Sequence, residues 1–240
     1  MGTVFTEKVV VDATNGEVVF DGVDFTLDGY IEVRNASSLT IRNCRFYRMN
    51  LPDARNYLIK VLGDIPCKLV VEKCFFGDNP KQGSNNMYNL IEPVAKLKTG
   101  SSFSNNYFTA AACTHNQISI YGAMESSKLY IDSNVFEQNG GIRIGVKGEP
   151  TCTLYIRKNI SQAMTSDFVD NMILLQPYGK STTSFANMTI VCDGNQCHSD
   201  KYPLAWFNAK SDLQLTDETL PKVIDDKGND IRSKMWQLVF

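Results

Sequence analysis

One eight-residue pattern, apolar–any–apolar–any–any–Asn or Cys–any–Phe, recurs along this chain and constrains its fold more than any other feature. It reads Leu39-Thr40-Ile41-Arg42-Asn43-Cys44-Arg45-Phe46, then Leu69-Val70-Val71-Glu72-Lys73-Cys74-Phe75-Phe76. It returns as Ser101-Ser102-Phe103-Ser104-Asn105-Asn106-Tyr107-Phe108 and as Leu129-Tyr130-Ile131-Asp132-Ser133-Asn134-Val135-Phe136. Weaker copies begin at Val18, at Leu154 (keeping Ile156 and Asn159) and near residue 182 (keeping Asn187), so the steps run from 21 to 32 residues. A second short apolar segment lies between copies, at 30–33, 58–61, 90–92, 118–120, 142–144, 172–175 and 204–206. Each unit thus reads as two strands of period-2 alternation separated by turns rich in Gly, Asn, Asp and Ser. No comparable stretch carries the 3.6-residue period of a helix.

Short strands in a repeat of this length, with no helix to cover them, suit a solenoid in which every turn adds one rung to continuous parallel sheets. The motif resembles the repeat of right-handed parallel β-helix proteins, the pectate-lyase-like superfamily that also includes many phage tailspike and virion proteins. The expected fold is all-β: a single-stranded right-handed parallel β-helix of about seven coils over residues 15–210, an N-terminal cap over 1–14, and a non-repeat tail over 211–240. Phe25, Phe46, Phe76, Phe108 and Phe136 are expected to stack inside it. The column Val23, Cys44, Cys74, Asn106, Asn134, Asn159, Asn187 is expected to face inward, its asparagines bonding across coils. At a rung spacing of about 4.8 Å, seven coils make a prism on the order of 34 Å long.

The resemblance implies that any polysaccharide-cleaving chemistry would lie on the outer sheet faces, as clustered acids for calcium with a basic residue, or as paired Asp. The outward positions of the first strand are read as Val19, Thr40, Val70, Ser102, Tyr130, Tyr155 and Thr183, none of them acidic. Tyr130 and Tyr155 form a minimal aromatic row suited to a sugar. The second strand's outward column, Glu32, Lys60, Glu92, Ser119 and Arg143, has two readings: Lys60, Glu92 and Arg143 as a sugar-binding stripe, or a solubilising ladder of alternating charge. His115 and His198 are the only imidazoles. The group Cys192, Cys197, His198 lacks a fourth ligand for a metal and reads as a surface loop with two thiols. Seven cysteines, an odd number, fit a reducing compartment better than a disulfide framework, with Cys44 and Cys74 as stacked free thiols. No cofactor, metal or catalytic residue is expected.

With 24 basic and 26 acidic side chains the net charge is −2, which gives no field for nucleic acid. No apolar run approaches the roughly 20 residues of a spanning helix. Residues 1–7 lack the basic-then-apolar pattern of a signal peptide, so assembly in a host cytoplasm is the expectation. In the tail, residues 223–232 read as a hairpin. The terminal Met235, Trp236, Leu238, Val239 and Phe240 are candidates for capping or assembly. The functional expectation is a non-enzymatic bacteriophage virion protein, a capsid decoration, cement or accessory fibre piece, with itself or capsid and tail proteins as partners. A carbohydrate-active enzyme or carbohydrate-binding module is the alternative.

Overall fold

In a computed structural model of the protein, the described residues are 2–49, 57–62, 65–77, 91–93, 96–109, 117–120, 126–137, 141–145, 149–162, 172–175, 184–197, 204–207, 216–232 and 236–239. The side chains of 14, 15, 92, 93, 204–207 and 236–239 are outside that description. Within it the chain is all-β, and only Arg232 has helical backbone. Every strand-to-strand pairing is parallel, each strand lying beside its counterpart one repeat further on, an arrangement consistent with a parallel β-helix.

The repeat motif makes two strands, not one. In the fourth copy Lys128–Asp132 ends at Ser133, and Val135–Phe136 begins a different sheet. The break sits on a residue with left-handed backbone in every coil: Gly22, Asn43, Lys73, Asn105, Ser133, Lys158 and Gly194, with φ between 53° and 66°. Such a residue turns the chain sharply without a loop. The two-strand unit expected from alternation is therefore a three-strand unit. Its phenylalanine strands build an eight-stranded sheet from Val4–Phe5 to Gln196–Cys197. The other two strand types form the halves of a fifteen-stranded sheet, joined where Val9–Asp21 and Ile31–Arg42 run through both. The joint exists because only residues 34–37 separate the two halves there, whereas later repeats insert more chain.

Pairing extends outside 15–210 at both ends. Val4–Phe5 lies beside Asp24–Leu27, and Val9–Val11 beside Ile31–Val33. Lys222–Ile224 adds a rung to Thr189–Asp193, and Trp236–Val239 adds one to Leu204–Phe207. The hairpin expected over 223–232 is present in short form: Ile224 and Asp230 make an antiparallel bridge, flanked by hydrogen bonds from the Asp225 N–H to the Asn229 carbonyl and from the Ile231 N–H to the Val223 carbonyl, each at 3.0 Å, while Val223 pairs in parallel with Ile190.

The interior is built from two ladders. Phe25, Phe46, Phe76, Phe108 and Phe136 are fully buried and stack with ring centroids 4.6, 4.9, 4.7 and 5.1 Å apart and interplanar angles of 4° to 16°. Phe5 extends the stack at 5.4 Å. The rung spacing itself imposes this near-parallel stacking, which places each ring at van der Waals distance from the next. Beside it runs a ladder of asparagine amides. Asn106 Nδ2 donates to Asn134 Oδ1 at 3.0 Å, Asn134 Nδ2 to Asn159 Oδ1 at 2.9 Å, and Asn159 Nδ2 to Asn195 Oδ1 at 3.0 Å. Each Nδ2 also donates to a backbone carbonyl of the preceding coil, those of Val71, Phe103 and Ile131. Each Oδ1 of the ladder accepts a backbone N–H as well, so the buried amides of Asn134 and Asn159 use all four bonds available to them.

One member of the expected column is wrong. Asn187 sits in an exposed turn, and Asn195 occupies its place in the ladder. The strand of this type that follows Thr153–Arg157 is Thr189–Asp193, which sets Val191 rather than Thr183 beside Tyr155; Thr183 itself lies outside the described residues.

Candidate functional site

The outer face of the first-strand half-sheet holds the clearest cluster of polar and aromatic side chains. Alternation turns Tyr130 and Tyr155 away from the core, since Leu129, Ile131, Leu154 and Ile156 are fully buried. The two rings, exactly in register on neighbouring strands, stack at 5.0 Å and 13°. Each covers one face of the other. The free face of Tyr130 looks toward Ser102, the small side chain one rung away. Arg157 lies over Tyr155 at 5.3 Å and over Tyr130 at 6.0 Å. Its guanidinium donates two hydrogen bonds to Asp132, of 2.8 and 3.1 Å. That bidentate bond holds the Arg157 charge, raising its pKa.

Two residues beyond the outward column that alternation picks out, the same face carries a second line: Asp21, Arg42, Glu72, Ser104, Asp132, Arg157 and Asp193, all in register. Reading only the central column missed these acids, although extending the period-2 rule by one step finds them. Arg42 pairs with Asp21 at 2.9 Å, and the hydrogen bonds from Asn43 and Arg42 hold the Asp21 carboxyl below its usual range. A carboxylate held ionised in this way is a poor proton donor, and Asp21 accordingly serves as the acceptor for Arg42 and Asn43.

The second-strand column is not an open stripe. Lys60 stands in register with Glu32 and Glu92, and Ser119 with Arg143. Ser119 is 0% and Leu174 8% exposed although the pleat turns both away from the core. Arg143, between them, is half-buried. Lys60 Nζ lies 4.3 Å from the Tyr57 ring centroid, and Glu32 meets Arg34 at 3.2 Å and Lys8 at 4.0 Å. The Glu92 side chain is outside the described residues, so its strand alone is placed.

The thiols divide the same way. Cys192 is buried with its pKa pushed up to about 12, while Cys197 lies half-buried in the other sheet beyond the Asn195 turn. The expected surface loop with two thiols is therefore corrected to one core thiol and one at the sheet margin, with His198 outside the described residues. Cys44 and Cys74 are free and interact through their sulfurs, which pulls Cys44 down and, with burial, pushes Cys74 up. Each thiol lies within hydrogen-bond distance of a carbonyl, Cys44 of Arg42 at 3.2 Å and Cys74 of Glu72 at 3.3 Å, and the Cys74 N–H donates to Asn106 Oδ1, so the cysteines continue the asparagine ladder. Among the described residues no three His, Cys, Asp or Glu side chains group as metal ligands, and no helix is long and apolar enough to cross a membrane.

Of the assembly candidates, Trp236, Leu238 and Val239 belong to the last strand of the fifteen-stranded sheet, where only their backbone is described. Met235 and Phe240 lie outside the described residues. No protein-family model matches the chain, and neither does any curated protein or solved structure with which it was compared.

Proposed function

We propose that this protein is a non-enzymatic structural component of a bacteriophage virion, a capsid decoration, cement or accessory fibre piece built as a right-handed single-stranded parallel β-helix. The observation that carries the reading is the pair of internal ladders. Stacked phenylalanine rings and fully bonded asparagine amides tie successive rungs together along the axis, and a body so cross-braced resists bending and local opening. Stiffness of this kind serves a particle component, which has to hold its shape under mechanical load. The edge of Trp236–Val239 and the terminal residues Met235 and Phe240 are the proposed contact with a capsid or tail partner.

Mass spectrometry and density maps of purified particles test the reading. A fixed copy number at a defined position on the particle is expected. Absence from particles, or cleavage of pectate, alginate or capsular polysaccharide that is lost on changing Lys60 or Arg143, would overturn it.

The Tyr130–Tyr155 pair favours a second reading, a carbohydrate-binding module. Sugar rings stack on an aromatic face beside charged hydrogen-bonding groups, which is what Tyr130, Asp132 and Arg157 assemble. A glycan-array signal that disappears in Tyr130→Ala would support it, and no signal above background for the intact chain would remove it.

A further inference from the structure

The first rung has an edge that no described strand occupies. Val9–Asp21 pairs along one side with Ile31–Arg42, and Val4–Phe5 pairs only with Asp24–Leu27. Together they present about one turn of unpaired backbone N–H and C=O groups, a template for another strand. The same turn is unusually apolar on its outside. Among the described residues the exposed large hydrophobic ones are Val4 (53%), Val10 (40%), Val19 (50%), Leu27 (49%) and Tyr107 (38%). Three of these five are on the edge and Leu27 adjoins it. Phe5, Val9, Val18 and Phe20 point to the core yet remain half-buried, whereas their counterparts one coil on, Phe25, Ile31, Leu39 and Ile41, are fully buried.

The order of residues on this edge names its occupant. Read forward toward the strand's middle at residues 14 and 15, it runs Lys8, Val9, Val10, Val11, Asp12. Read backward from the other end, it runs Asp21, Phe20, Val19, Val18, Glu17. Each arm is a charge, three apolar residues and an acid. Two such strands laid antiparallel about a two-fold axis between residues 14 and 15 set Val10 against Val19, Val9 against Phe20 and Val11 against Val18. They also set Lys8 against Asp21, opposite charges, and do so twice. Side chains directly opposite in an antiparallel pair share a face. The pleat satisfies that condition independently: Val10 and Val19 are both exposed, and Val9, Val11, Val18 and Phe20 all pack against the core.

We propose that the N-terminal rung is a self-association surface, on which a second copy of this chain docks end to end by antiparallel pairing of the two Val9–Asp21 strands. The interface is isologous and closes at two copies. It covers the half-buried phenylalanines and valines of both first rungs and continues the core from one copy into the other. One element opposes it: Asp12 of one copy faces Glu17 of the other, where pairing with Ile31–Arg42 is already irregular. The inference goes beyond the virion reading and stands without it, since it concerns the isolated chain.

Sedimentation equilibrium of the full chain over a range of concentrations tests it. The mass should double as concentration rises. Val10→Lys with Val19→Lys, at exposed positions, should weaken association by about tenfold or more while dilute-solution melting stays unchanged. Glu17→Gln should tighten association, because it removes the opposed acids. Mixed Val10→Cys and Val19→Cys chains should cross-link to each other, against a wild-type control for the native thiols, and neither should cross-link to itself. A monomer at every concentration, association indifferent to the lysine pair, or cross-links between two Val10→Cys chains would overturn the proposal. If the lysine variant melts lower in dilute solution, Glu17→Gln and the cross-links decide it alone.

Discussion

Each inward side chain here answers to a neighbour one coil away, so a single truncation is felt in two directions. Phe76 stacks on Phe46 at 4.9 Å and on Phe108 at 4.7 Å. Phe76→Ala should destabilise the protein by roughly 3–5 kcal/mol, seen as a lower urea midpoint at unchanged slope. Gly141 shows the same tightness from the other side: a Cβ there would sit 2.8 Å from the Phe136 ring, which leaves no room for any larger residue. Burial of the thiols sets an alkaline limit. It pushes Cys67 up to about 11 and Cys152 and Cys192 to about 12, against an ordinary value of 9.0. Above pH 9 the unfolded chain gives up these protons and the folded one keeps them, so the unfolded state binds fewer protons and stability falls with rising pH. Their contribution is whole below pH 9 and lost progressively toward pH 12. Urea midpoints measured from pH 7 to 11 should be flat and then decline, and the decline should be shallower in a Cys67→Ala, Cys152→Ala, Cys192→Ala chain relative to its own value at pH 7.

At the scale of the strand, the left-handed residue between the two halves of the motif decides where one sheet stops and the next begins. Lys73 and Lys158 take it at φ 53° and 55° with ordinary side chains. For L-residues this region costs roughly 1–2 kcal/mol, and more when the side chain is β-branched. Lys158→Gly should therefore raise the melting temperature slightly and Lys158→Val should lower it, a difference of about 1–2 kcal/mol between the two variants by chemical denaturation. Equal stabilities would mean that the turn relaxes out of the left-handed region. These turn residues were only partly legible in the sequence. Gly22 and Gly194, and more weakly Asn43 and Asn105, favour the left-handed region, whereas Lys73, Ser133 and Lys158 carry no such preference. Period-2 alternation holds on each side of the turn, but its phase slips by one residue between Ile41 and Cys44 and again between Val71 and Cys74, and that slip is the sequence mark of the break between the two strands.

For the whole molecule, the stacked rungs behave nearly as a one-dimensional array, each stabilised mainly by its neighbours. Deleting residues 218–240 removes Lys222–Ile224 and Trp236–Val239 and uncovers Thr189–Asp193 and Leu204–Phe207. Melting should fall, and hydrogen exchange should speed up in Thr189–Asp193 while Asp24–Leu27 stays protected. Unchanged melting would instead mean that the segment serves assembly alone. The sequence by itself determined the all-β class, the parallel repeat, the buried phenylalanines and most of the asparagine ladder, because alternation and inward polarity are properties of each short segment. Register between distant coils was decided only in three dimensions. The seventh copy of the motif was read near residue 182 with Asn187, whereas the strand that packs on Leu154 begins its match at Ile190 and brings Asn195 into the ladder. Loop length between coils is free to vary at little entropic cost, so spacing does not fix which segment stacks. The line from Asp21 to Asp193 and the open first edge follow from that same register: charges and edges acquire their neighbours only when the coils are laid side by side.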